Sequence, residues 1–245
     1  MEHIFLDGWI KRSGLSKSYV ASASGVSRST IHRIQHGETD PTLGTLRELA
    51  IACGLDLDLQ VRPLSDPFAA QAARMLLEQG FEPDSLAEAN QWVNRLHRLG
   101  LQDPVAVIDY AGRASGLLAL GAPSVYLRGD IDTLRLASAG DATGARWALS
   151  GQPHLELGAG RAVAGVKVLW AEEPRLAASL LADTLKEARS PHTATVVVAA
   201  ALPAVFHASF KSGGLNYVAP IQALIDGFSL GGQLAGVAAT IAKEW

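Results

Sequence analysis

The chain has 245 residues, of which 48% are hydrophobic and 18% are charged, and its formal net charge is −3. This composition is sufficient for a packed core and excludes bulk disorder, and the length allows one large domain or two smaller ones. The single cysteine, Cys53, excludes a disulfide framework and a zinc site built from several thiolates. A net charge this close to zero excludes a protein that coats nucleic acid through its overall charge, but it is compatible with a small basic face.

The start of the chain does not have the pattern of a targeting segment. Residues 1–12 carry Glu2, Asp7, Lys11 and Arg12 among their apolar residues, unlike a signal peptide. The longest uncharged apolar stretch, 194–206, is shorter than the ~20 residues that span a bilayer. We therefore expect a cytoplasmic protein with no membrane segment.

The first 60 residues predict short helices joined by tight turns. Ser16 is the expected cap of a helix over 16–23, whose inward residues would be Tyr19, Val20 and Ala23. Gly25 permits the positive φ of a sharp turn before the next helix.

That next helix, over 27–36, would be capped by Ser27 and would turn Ile31 and Ile34 to the core. Gly37 is suited to end it, and Thr42 is suited to cap a further helix. Two short helices around a glycine turn, the second rich in Arg, Ser and Thr, are typical of a helix-turn-helix.

The distribution of charge favours contact with phosphate on the same segment. From Gly8 to Gly37 there is no Asp or Glu, while the window contains these basic residues: Lys11, Arg12, Lys17, Arg28 and Arg33. A basic face on an otherwise neutral domain is a common feature of nucleic-acid binding.

Residues 15–46 resemble the XRE, or lambda-repressor-like, helix-turn-helix family. The landmarks occur in the family's order: Leu15-Ser16, Gly25-Val26-Ser27, Ile31 and Ile34, Gly37, Pro41 and Thr45-Leu46. Two positions depart from the usual pattern. Lys17 replaces a glutamine that anchors phosphate, and Glu38 stands where a basic residue is common.

The resemblance implies a role for each matching residue. Arg28, Ser29 and Arg33 would face base edges in the major groove, where arginine prefers guanine. Lys17, Ser27 and Thr30 would hold phosphates, with the helix N-termini assisting. The alternative is that the two arginines are ordinary surface residues and that the serines serve only as caps.

Two histidines of the same helix, His32 and His36, are spaced i,i+4, a geometry that can bind metal. No nearby carboxylate or thiol completes such a site, so we expect packing or solvent contact from them and predict no metal.

Beyond residue 63 the pattern changes twice. Gln60 to Phe68 contains two prolines and predicts a connector, and helices are expected over 67–80 and 84–99. Strands are then expected at 105–108, 125–127, 166–170 and 195–198, and helices over 176–188 and 221–225, with Pro220 opening the last one.

The C-terminal part resembles the C-terminal domain of AbiEi-type antitoxins of type IV toxin–antitoxin systems. The similarity is carried by Trp147-Ala148-Leu149-Ser150-Gly151 and by Tyr217-Val218-Ala219-Pro220 with Gln222 and Asp226. Ser150 replaces a threonine of that pattern, and Gln233 replaces an arginine. The resemblance implies a non-catalytic domain for oligomerisation, additional DNA contact or sensing.

Two patterns bear on enzyme activity. Leu120-Gly121 followed by Asp130 and Asp132 is loosely similar to nucleotidyltransferases, which hold Mg²⁺ with an aspartate pair, but Ala122 replaces their usual serine. We expect a surface turn after a strand at these residues rather than an enzyme site. Gly158 to Gly160 lacks dinucleotide-binding spacing and predicts a hairpin loop.

The sequence therefore predicts an α+β protein that is not an enzyme and needs no cofactor. A helix-turn-helix domain (1–63) is followed by a helical linker or dimerisation segment (64–102) and a mixed α/β domain (103–245). The expected function is that of a transcriptional regulator that binds double-stranded DNA as a homodimer. Repression is one mode of regulation expected of such a protein. The alternatives are an antitoxin that represses its own operon and counteracts a cognate nucleotidyltransferase-type toxin, and an Mg²⁺-dependent nucleotidyltransferase.

Overall fold

A computed structural model describes residues 4–119 and 122–243 of the chain. The chain divides into two compact units, the first ending at Val61 and the second beginning at Arg62.

The first unit is built from helices, three of which start at a side-chain cap. The hydroxyls of Ser16, Ser27 and Thr42 each accept a hydrogen bond from the backbone N–H three residues later, at 3.1–3.2 Å. The helices are α1 (Ile4–Ser13), α2 (Lys17–Ser24), α3 (Arg28–Gln35) and α4 (Leu43–Ala52). They enclose a small core formed by Leu6, Ile10, Val20, Ile31, Ile34, Leu49 and Cys53.

The second unit contains both helices and a sheet. Its helices are α5 (Pro67–Leu77), α6 (Leu86–Arg98), α7 (Pro104–Ser115), α8 (Thr133–Ala142), α9 (Gln152–Ala159), α10 (Pro174–Ser179), α11 (Pro220–Leu230) and α12 (Gly232–Ala242). Its strands are β1 (Ser124–Arg128), β2 (Trp147–Gly151), β3 (Lys167–Ala171), β4 (Lys186–Glu187), β5 (Val196–Ala200), β6 (Phe210–Ser212) and β7 (Leu215–Tyr217).

The described strands form one mixed sheet with the order β4-β1-β5-β3-β2-β7-β6. The β3–β5 and β2–β7 pairs are parallel, and the other neighbouring pairs are antiparallel. Both faces of the central strands are buried. On β3, Leu169 faces one apolar cluster while Val168 and Trp170 face another, as the two-residue period of a strand requires.

A further apolar cluster joins α5, α6 and α7 to α11 and α12. Small residues make this packing close. A Cβ on Gly112 of α7 would lie 2.5 Å from the carbonyl oxygen of Ile225 on α11, so glycine permits the approach of these two helices.

The predicted fold class is confirmed: a helical N-terminal region is followed by a mixed-sheet α/β region. Strands were correctly predicted near 125–127, 166–170 and 195–198, as was the helix that Pro220 opens.

The predicted strand at 105–108 is wrong, because these residues lie in α7. The carboxylate of Asp103 accepts a hydrogen bond from the N–H of Ala106 at 2.9 Å, and Pro104 occupies the first helical turn. This cap and the burial of Val107, Ile108 and Ala111 on one helix face outweigh the β preference of Val and Ile.

Three smaller predictions are also wrong. The helix expected over 176–188 ends as α10 at Ser179, and the chain then continues to β4, which forms only by pairing with β1. Gly158 to Gly160 is the end of α9 rather than a hairpin, with Gly160 at φ 62°. Tyr19 and Ala23 are exposed, while Val20 and Ser24 are the buried residues of α2.

The segment 64–102 lies within the second unit. Alanines of α5, together with Trp92 and Leu96 of α6, are buried in the helical cluster of that unit. Among the described residues, no helix has the length and apolar character needed to cross a membrane.

Candidate nucleic-acid interface

The turn between α2 and α3 is determined by local chemistry. Gly25 adopts φ 68°, which favours glycine, and the N–H of Val26 donates to the hydroxyl of Ser24 at 3.2 Å. Ser27 then begins α3, and Gly37 at φ 71° follows its end. The helix-turn-helix geometry predicted from the sequence is therefore present.

The two faces of α3 differ sharply. Ile31 and Ile34, each 1% exposed, fix the inner face against the core of the first unit. An α-helix turns about 100° per residue, so the side of α3 opposite Ile31 and Ile34 carries these residues: Ser29, His32, Arg33 and His36. All four are exposed. We call these four residues the outward face of α3, although His36 is the cap that follows the last helical residue.

The arginines of α3 are accessible. Arg28 is exposed at the first residue of the helix, at the edge of the outward face, and Arg33 lies within that face. In the described part of the chain, neither forms an ion pair with a carboxylate. Both guanidinium groups can therefore meet an external acceptor without first breaking such a pair.

The hydroxyls predicted to hold phosphate form a cluster at the start of α3. Ser27 Oγ accepts a hydrogen bond from the N–H of Thr30 and lies 2.8 Å from Thr30 Oγ1 and 2.9 Å from Ser29 Oγ. The structural role of Ser27 as a cap is therefore present, and contact with a phosphate would be additional to it.

Lys17 is the first residue of α2, and its side chain reaches α3. Its Nζ donates to Gln35 Oε1 at 3.0 Å, and the amide of Gln35 in turn donates to Asp7 of α1. This chain of hydrogen bonds connects three helices of the first unit through exposed side chains. Gln35 was not assigned a role from sequence, because neither partner is its neighbour along the chain.

His32 of α3 stacks on His36, the residue that caps this helix, with ring centroids 4.0 Å apart and planes 22° from parallel. His36 Nδ1 lies 2.8 Å from the carbonyl oxygen of His32, and since an oxygen of this kind only accepts, Nδ1 is the donor. Neither histidine was among the residues predicted from the sequence to contact DNA. Their helical spacing from Ser29 and Arg33 was the signal that could have included them.

The residues of the predicted nucleotidyltransferase pattern occupy ordinary structural positions where they are described. Asp130 is exposed, and Asp132 caps α8 by accepting from the N–H of Arg135 at 2.6 Å. Within 4–119 and 122–243, no group of three or more His, Cys, Asp or Glu residues is placed to hold a metal. Leu120 and Gly121, the glycine turn of that pattern, lie outside the described residues.

Comparison with known families agrees with the geometry of the first unit. Residues 9–60 match the helix-turn-helix family model, which covers about a fifth of the chain and includes α2 and α3 entirely. This match supports a DNA-binding transcriptional regulator. The chain has no significant match among curated proteins or among solved structures.

Proposed function

We propose that this protein is a non-catalytic transcriptional regulator that reads a specific operator with the outward face of α3. The observation that carries the proposal is the position of Arg28 and Arg33. Both are exposed on the second helix of a matched helix-turn-helix, free of ion pairs in the described part of the chain.

Six residues of α2, α3 and the turn between them have defined tasks in the proposal. Arg28, Ser29 and Arg33 contact base edges in the major groove, where a bidentate arginine–guanine pair contributes ~1–3 kcal/mol of discrimination. Lys17, Ser27 and Thr30 contact phosphates, which position the helix but carry no sequence information.

The proposed active form is a homodimer. A two-fold dimer presents two copies of α3 to half-sites about one helical turn of DNA apart, so the operator would be a palindrome. The family resemblance of the first unit motivates this part of the proposal.

A selection from random duplexes, using the full-length protein, tests the function directly. We expect enrichment of a palindromic sequence with guanines in both half-sites, bound with an affinity that falls steeply as salt rises. Enrichment of no sequence above the starting pool would contradict the proposal. Sedimentation of the complex should give two protein chains per duplex, and one chain per duplex would refute the dimer.

A second candidate function is an antitoxin that represses its own operon. It is favoured by the motif of the second unit, in which the strand ending at Tyr217 leads through Ala219 into α11, opened by Pro220. The test is the neighbouring gene. A nucleotidyltransferase-type protein whose toxicity is relieved by co-expression of this chain would support the antitoxin function, and unrelieved toxicity would reject it.

A further inference from the structure

The second unit contains an apolar cavity of about 260 Å³ between α5, α7, α11 and the sheet. Its walls include Leu117, Ala200, Leu202 and Val205, and its polar floor is formed by Gln222 and Asp226. The cavity is open to solvent, and its volume lies just below the ~300 Å³ at which ligand pockets begin.

Asp226 supplies an ionisable carboxyl group to the lining of this cavity. It is 1% exposed and accepts hydrogen bonds from Ser150 Oγ at 2.5 Å, Trp170 Nε1 at 2.8 Å and Gln222 Nε2 at 2.9 Å. All three donors are neutral. A carboxylate has about four acceptor positions, so one remains for a group that enters the cavity.

Asp226 also has no cation of its own. In the described part of the chain it takes part in no ion pair. The guanidinium that acts on Asp226 is that of buried Arg74, which binds the carboxylate of Glu78 at 2.8 Å and donates to the backbone oxygens of Ala204 and His207. Arg74 is ion-paired with Glu78 and reaches Asp226 only through Gln222, although its positive charge still lowers the pKa of the Asp226 carboxyl.

Buried charges in proteins are normally paired, because removal of an ion from water is costly. Burial raises the pKa of Asp226 to about 6, against the opposing effects of its three hydrogen bonds and of Arg74, and a bound cation would favour the ionised form. Asp226 is therefore a buried carboxyl in the lining of the cavity, with neutral hydrogen-bond donors around it and Arg74 acting on it only from beyond Gln222.

We propose that this cavity is a binding site for a small organic amine. The ammonium group would pair with Asp226 through its remaining acceptor position, and the apolar body of the ligand would lie against the aliphatic walls. The indole of Trp170, which also lines the cavity, adds a ring that attracts cations. The site lies wholly within the second unit and does not depend on DNA recognition by the first.

Calorimetric titration of the full-length protein with three primary amines, phenethylamine, hexylamine and tryptamine, tests this proposal. At least one should bind to saturation, and its neutral analogue, in which a hydroxyl replaces the amine, should bind at least about tenfold more weakly, as expected for loss of a charge-assisted hydrogen bond. Failure of all three amines to bind, or equal binding of amine and alcohol, would overturn the proposal.

Two variants locate the site, and one serves as a control. Asp226→Asn removes the charge while keeping the shape of the side chain, and Ala201→Phe fills part of the cavity while leaving Asp226 in the sequence. Both should abolish binding while the far-ultraviolet circular dichroism remains that of the wild type. Asp130→Asn removes an exposed carboxylate of the same unit and should bind as the wild type does. Undiminished binding by folded Asp226→Asn would also overturn the proposal.

Discussion

Replacement of Asp226 by asparagine is expected to change how the stability of the second unit depends on pH. The carboxylate of Asp226 is fully buried, and this burial raises its pKa from 3.8 to about 6 despite three hydrogen bonds that favour the ionised form. Between these two values the folded protein holds a proton that the unfolded chain does not. Unfolding therefore releases a proton in this range, and the free energy of unfolding falls as pH rises.

The magnitude follows from the two pKa values. At about 1.4 kcal/mol for each pKa unit, the difference corresponds to about 3 kcal/mol lost between pH 3.8 and about 6. Below this window the group is protonated in both states, and above it the group is ionised in both, so the contribution changes only inside it. Asparagine cannot ionise, and its amide can still accept from Ser150 and Trp170.

The assay is urea denaturation of the full-length wild type and Asp226→Asn from pH 4 to pH 8. Hydrogen exchange of peptides from β3 and β5 reports the free energy of unfolding of the second unit alone. Other carboxylates contribute equally to both proteins, so the difference between them isolates Asp226. The stability of the wild type relative to the variant should fall by about 2–3 kcal/mol as pH rises from 4 to 8. A difference that stays constant, or that grows with pH, would refute the reasoning.

Three further predictions concern the cap of α3, the phosphate contacts and the packing of the sheet. Ser27→Ala should lower the stability of the first unit by about 1 kcal/mol in thermal unfolding, whereas Ser27→Asp should keep the cap but weaken DNA binding in a gel shift, because its charge repels phosphate. Lys17→Ala should weaken binding to all duplexes similarly and reduce the slope of log K against log salt by about 1. Gly140→Ala should destabilise the second unit by ~1–3 kcal/mol in urea, because a Cβ there would lie 2.6 Å from the Trp147 ring, while Gly236→Ala, with open space in α12, should be neutral or stabilising. Equal effects of Ser27→Ala and Ser27→Asp in both assays would reject the prediction for the cap. A salt slope unchanged by Lys17→Ala would reject the phosphate contact, and equal stability of the two glycine variants would reject the packing prediction.

The features predicted correctly from the sequence are those with local causes. The caps at Ser16, Ser27 and Thr42 each bind an N–H only three residues away. The helix-turn-helix was predictable for the same reason, since its turn residues and its apolar spacing occur within one short window.

The errors arise where local signals conflict or where the cause is distant. At 105–108 the β-branched residues and the Asp103–Pro104 cap favour different structures, and the buried face of the helix decides between them. β4 has two residues and forms only through its partner strand β1, which lies about 60 positions earlier in the chain.

The surroundings of Asp226 also could not be predicted from the sequence. The serine that binds it is 76 positions away, and the tryptophan is 56 positions away. Only the packed sheet and α11 bring these groups together, which is why this carboxylate appeared in the sequence as part of a motif and not as the floor of a cavity.

The most direct test of the proposed function measures sequence discrimination by α3. Fluorescence anisotropy would give the affinities of the wild type, Arg28→Ala and Arg33→Ala for the selected operator and for a scrambled duplex. Arg161→Ala, which removes an exposed arginine of the second unit, is the control. We predict that each α3 variant stays folded and loses ~1–3 kcal/mol of preference for the operator, while the control keeps the full preference. Full preference retained by folded Arg28→Ala and Arg33→Ala would contradict the assignment of α3 as the reading helix.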